Sequence, residues 1–234
     1  NTKNHSSFWM DNTFGDSVFK TSGKDHVKLA SSLKAIGNFV KIVTKDEIAV
    51  KYNNKDESYT DGKTVTISSK VNGKSFDSTV GLALHEGSHC LLSDFQLLKK
   101  VMNYSLGIDF LRNTYKFDLT DKMIKKGLNI ITLKDILNYI EDRRIDLHIY
   151  KTAPGYQPYY KAMYDRYFHS KAIDKGLKSG EYREENLQSY LFRIINLTNI
   201  NRDLDALKGL RKIYNTIDFN NITRLKSTED CLKL

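Results

Sequence analysis

The sequence predicts an α+β protein, mostly helical, with a short β-hairpin or small sheet ahead of the helix that carries its chemistry. Three observations lead there. Only 2 prolines interrupt 234 residues, so long helices run with few built-in breaks. Apolar residues recur at three- and four-residue spacing through most of the chain. Runs rich in β-branched residues are confined to a short stretch near residues 47–68.

Taken in order, residues 1–23 are polar with isolated aromatics (Phe8, Trp9, Phe14, Phe19) and read as an irregular lead-in. From Lys24 to Val43, apolar residues at Val27, Ala30, Leu33, Ile36, Val40 and Val43 describe an amphipathic helix. Glu47–Tyr52 and Thr64–Ser68 follow as two strands, expected to pair as a hairpin through a polar connector that ends in Asp61-Gly62. The turn Asn72-Gly73 closes the strand region, Ser75–Asp77 offers an N-cap, and a helix is predicted over Ser78–Leu92. Beyond it, helices are predicted over Phe95–Leu111, Asp118–Gly127, Leu133–Tyr150, Tyr159–Lys175, Glu184–Thr198 and Asp203–Tyr214. The segments group as a core over 24–155 and a helical C-terminal extension over 156–234, within what reads as a single domain.

The most informative stretch is Gly81-Leu82-Ala83-Leu84-His85-Glu86-Gly87-Ser88-His89-Cys90-Leu91-Leu92, which contains His-Glu-x-x-His. On a helix, His85 and His89 stand one turn apart on one face, so both imidazoles reach a single cation. Neutral imidazole suits Zn²⁺, and Glu86 is placed to serve as general base on a water activated there. The bland alternative is a pair of satisfied core histidines. It has to find separate polar partners for two imidazoles and a carboxylate within an apolar helix, whereas one ion accounts for all three.

Two histidines leave a catalytic zinc site one protein ligand short. The extended pattern His-x-x-Gly-x-x-His does not follow, because Phe95 stands where its last histidine would be. The third ligand is therefore sought in the helix Asn138-Tyr139-Ile140-Glu141-Asp142-Arg143-Arg144-Ile145-Asp146. Asp142 and Glu141 are both candidates. Asp142 and Asp146 are one turn apart, so one can ligate while the other orients an imidazole; Glu141 has the longer reach, and Arg144 can hold it in place. For stabilising an oxyanion, the tyrosine-rich loop Ala153–Tyr160 offers Tyr156 first and Tyr159 second, with Arg143, Arg144 and His148 competing.

These motifs resemble the compact zincin metallopeptidases of the gluzincin type. Asn138-x-x-Glu141-Asp142-x-Arg144-x-Asp146 is similar to the downstream signature of cobalt-chelatase-subunit-like and phage-encoded proteins, in which such a domain precedes a von Willebrand factor A domain. The resemblance covers roughly residues 25–170. It implies one Zn²⁺, an extended peptide or protein substrate, and a strand at Thr64–Ser68 that edges the cleft and pairs with that substrate. The von Willebrand-like region has no counterpart in these residues, so a longer parent chain is expected, as the absence of an initiating Met also suggests.

Composition narrows the remaining classes. A hydrophobic fraction of 40% argues against disorder, and no apolar run is long enough to span a membrane. Two cysteines, Cys90 and Cys231, are too few for a disulfide framework, which points to a reducing, cytoplasmic setting. The net charge of +9 admits a nucleic-acid partner, but the lysines are scattered rather than gathered in a stripe, so that role is not favoured.

Overall fold

The structure is a computed structural model that describes residues 23–45, 48–55, 58–102, 104–116 and 130–234. The expected lead-in and the helix expected over Asp118–Gly127 lie outside the described residues. The architecture is mixed α+β and mostly helical, as the sequence predicts. A small three-stranded sheet precedes the long run of helices. Among the described residues, no helix is long and apolar enough to cross a membrane. The chain divides into two compact units, the first running to Leu91 and resuming over Ile145–Ser170, the second comprising Leu92–Arg144 and Lys171–Leu234.

The first unit opens with α1 (Gly23–Thr44), which follows the predicted amphipathic run and buries Ile36 and Val40. Three strands come next: β1 (Ala49–Asn53), β2 (Tyr59–Thr60) and β3 (Thr64–Ser68). Their order corrects the sequence reading. β1 pairs with β3 in parallel, from Ala49↔Thr64 to Asn53↔Ser68, so these two runs do not form a hairpin. The hairpin at Asp61-Gly62 is instead made by β2 and β3, with Tyr59 opposite Thr66 and Thr60 opposite Val65. Asp61 builds that turn by accepting from the backbone N–H groups of Lys63 and Thr64, while Gly62 takes a φ of 87° that favours glycine. β3 therefore lies in the middle of the sheet, with neighbours on both sides. The expectation that Thr64–Ser68 is a free edge for substrate is overturned, because its ladder groups are engaged by β1 and β2.

α2 (Phe76–Leu92) starts directly after Ser75, whose carbonyl accepts from the Thr79 N–H and from the hydroxyls of Ser78 and Thr79. Every residue from Ser78 to His89 is buried. Two glycines let neighbouring elements approach it. A Cβ at Gly81 would lie 2.3 Å from the carbonyl oxygen of Tyr159, and one at Gly87 would lie 3.2 Å from Val40. The element against Gly81 is α6 (Gln157–Tyr167), which follows a 3₁₀ turn over Pro154–Tyr156. On its way there the chain passes through α3 (Phe95–Met102), α4 (Tyr104–Tyr115) and α5 (Ile130–Thr152). Over the span expected as one helix, Phe95–Leu111, the described residues are all helical, and α5 exceeds its predicted span at both ends.

In the second unit, α7 (Lys171–Lys178), α8 (Leu187–Ile195), α9 (Leu210–Ile217) and α10 (Thr228–Lys233) complete the fold. The helix expected over Tyr159–Lys175 is divided between α6 and α7. The one expected from Asp203 begins only at Leu210, because Gly209 adopts a left-handed φ of 79° that no helix interior accommodates. Asn186 caps α8 through the Ser189 N–H, and Ser227 with Asp230 forms a reciprocal capping box on α10. Apolar side chains of α5, α8, α9 and α10, among them Leu137, Ile140, Ile194 and Leu232, line a cavity of about 320 Å³.

Candidate metal centre

His85 and His89 project from consecutive turns of α2, with ring centroids 4.8 Å apart and planes at 90°. Both are buried, as is Glu86 between them. The acidic stretch of α5 is equally enclosed: Glu141, Asp142 and Asp146 each expose 4% or less of their surface. An unaccompanied carboxylate at such depth is strongly disfavoured, so the partners of each acid define its role.

Asp146 belongs with the histidines. Its Oδ1 accepts the Nδ1–H of His85 at 2.7 Å. A carboxylate only accepts, so the proton must sit on Nδ1, which leaves the ligating lone pair of His85 on Nε2. The other oxygen, Oδ2, accepts from the hydroxyl of Tyr164 at 2.7 Å. Asp142 stands one turn earlier on the same continuous helix. Among the described residues, His85, His89 and Asp142 form the set gathered closely enough to hold a metal ion, one ligand atom from each lying within 4.8 Å of the others. Tetrahedral zinc, with bonds of about 2.0–2.2 Å, spaces its donors roughly 3.3–3.6 Å apart, so small side-chain rotations close this set on an ion. The chemistry of the donors fits as well. Two imidazoles, one carrying a carboxylate partner on its far nitrogen, and one carboxylate make a three-ligand set of the kind that leaves a position for water or substrate.

Glu141, the other candidate ligand, is committed elsewhere. Its Oε1 accepts from Arg144 at 2.8 Å, from Ser93 at 2.8 Å and from Thr228 at 2.7 Å, and its Oε2 accepts from Arg144 Nε at 3.0 Å. Burial pushes this carboxyl up, but the hydrogen bonds and charge of Arg144 and the Thr228 hydroxyl outweigh it and hold Glu141 below its ordinary range. Arg144 also donates to the carbonyls of Leu92 and Lys226. The pair is therefore a structural knot of the second unit, as the i, i+3 spacing suggests.

The proposed oxyanion donors fare differently. Tyr156 is half-buried in the 3₁₀ turn, its ring edge-on to Phe39 at 5.9 Å, and Tyr159 packs on the same phenylalanine at 5.3 Å. Both rings pack against Phe39 of α1. Arg144 is held by Glu141, Arg143 lies over the Tyr139 ring at 5.0 Å, and His148 is exposed. Cys90, next to His89, meets the Thr60 hydroxyl at 3.1 Å, and burial raises its pKa, so it is a quiet structural thiol. Asp94 is exposed and caps α3 through the N–H groups of Gln96 and Leu97.

The residues that sequence reasoning missed lie on α6. Tyr164 reaches Asp146, and one turn earlier the Tyr160 hydroxyl stands 3.4 Å from that of Ser88 on α2. Their i, i+4 spacing is visible in the sequence, but the spacing alone does not separate packing tyrosines from hydrogen-bonding ones. Comparison with protein-family models, curated proteins and solved structures finds no match to this chain.

Proposed function

We propose that the protein is a zinc-dependent metallopeptidase that hydrolyses an extended peptide, with His85, His89 and Asp142 as metal ligands and Glu86 as general base. The observation that carries this reading is the convergence of three buried donors from α2 and α5. The hydrogen bond from His85 to Asp146 supports it, since that bond sets the tautomer a ligand needs. When bound, zinc supplies a Lewis acid that polarises a carbonyl and brings the pKa of water to about 7.

The chain's own residues do the rest. Glu86 takes a proton from the attacking water as its oxygen bonds to the peptide carbonyl carbon. It then delivers that proton to the departing amine nitrogen as the C–N bond breaks. A carboxylate between two ligand histidines has a use in hydrolysis and none in a purely structural centre, which favours an enzyme over a zinc-stabilised assembly module. With Tyr156 packed on Phe39, the oxyanion donor is left unassigned.

Metal removal tests the reading. Incubation with an unfolded protein substrate is expected to yield fragments detectable by mass spectrometry. A chelator should suppress them and stoichiometric zinc restore them. A zinc-loaded protein that leaves the substrate intact contradicts catalysis and returns the centre to a structural or assembly role.

A further inference from the structure

We infer that Tyr164 is a positioning residue for the metal centre, its hydroxyl fixing the orientation and tautomer of His85 through Asp146. The inference rests on the zinc reading above and adds a member to its supporting shell. Asp146 is anchored three ways within the first unit: its backbone on α5, Oδ1 on His85 of α2 at 2.7 Å, and Oδ2 on Tyr164 of α6 at 2.7 Å. A carboxylate bonded only at one oxygen can still turn about its terminal torsion, which is broad and roughly two-fold. Bonded at both oxygens to different helices, it cannot turn without breaking one bond, so the acceptor facing Nδ1 stays in place.

The placement of Tyr164 follows from the sequence of α2. Gly81 admits the backbone of α6 at a distance no Cβ allows, and Arg166 donates to Ser78 at 3.1 Å along the same contact. Tyr160 and Tyr164, one turn apart, are thereby delivered to Ser88 and Asp146. The ring of Tyr164 also packs on Phe168 at 5.3 Å, a role phenylalanine would fill equally well. What tyrosine adds is the hydroxyl. Because that proton lies on Asp146, Tyr164 orients a ligand and does not serve the substrate.

The experiment is a zinc titration against a chromophoric chelator, together with the visible spectrum of the cobalt-substituted protein. Wild type is compared with Tyr164→Phe, Asp146→Asn and the double variant. Supporting partners of ligand histidines are typically worth ten- to a hundredfold in metal affinity. Tyr164→Phe is therefore expected to lose about tenfold and to shift the cobalt spectrum, while its metal-free melting stays close to that of wild type. In the Asp146→Asn background the same change should have no further effect, because the two act as one unit. Unchanged zinc affinity in Tyr164→Phe overturns the inference, as does an equal loss in both backgrounds. Should Tyr164→Phe not fold, Asp146→Asn alone decides, since wild-type affinity in it removes the link through which Tyr164 acts. If wild type itself takes up no zinc beyond a His85→Ala control, it is the zinc reading that fails.

Discussion

Glu86→Gln is expected to abolish peptide cleavage while zinc content stays at the wild-type level. The substitution keeps the size and the buried position of the side chain, and it removes only the capacity to take a proton from water. General-base assistance is commonly worth about 10²–10⁴-fold, so turnover should fall by roughly that factor. Glu86 is not among the three residues gathered closely enough to hold an ion, which is why the metal should remain. Measuring fragment release and bound zinc on the same samples separates the two effects. Cleavage at the wild-type rate would remove Glu86 from the mechanism, and lost zinc would make it a ligand.

Glu141→Ala should produce the second large effect, this time on stability. The carboxylate is 1% exposed and collects hydrogen bonds from Arg144, Ser93 and Thr228. Its removal strands the buried Arg144 guanidinium opposite no charge, a change that typically costs about 3–5 kcal/mol. That is a large share of the roughly 5–15 kcal/mol of a typical domain, so the urea midpoint should fall sharply. The gentler Glu141→Gln keeps an acceptor for the hydroxyls and is expected to bind zinc as wild type does, whereas Asp142→Asn should lose affinity. Reversed outcomes would exchange the roles of the two neighbouring acids.

The helical half of this account was legible because helix periodicity is a local property. The apolar stripe of α1, the His-Glu-x-x-His turn of α2 and the acidic stripe of α5 are all read from residues three or four apart. The i, i+4 pairing of Asp142 with Asp146 likewise places one acid beside the two histidines and the other behind the His85 imidazole. Strand order was not legible. Asp61-Gly62 announces a turn, but β2 is only two residues long, too short to show alternation, so from sequence the turn reads as the end of a β1–β3 connector. Glu141 illustrates a different limit. Arg144 is visible three residues away, yet Ser93 and Thr228 lie far along the chain and carry no local mark. The tyrosines of the following loop and helix show a related limit: proximity in sequence to the acidic helix does not fix which ring turns toward Phe39 and which toward Asp146.

The central claim is that His85, His89 and Asp142 grip one divalent ion. X-ray absorption at the zinc edge of the purified, zinc-titrated protein, with His89→Ala as control, tests it most directly. One equivalent of zinc is expected, bound through two imidazole nitrogens and carboxylate oxygen at about 2.0–2.2 Å, with uptake lost in His89→Ala. Substoichiometric zinc, or the same spectrum and stoichiometry in the control, would contradict it.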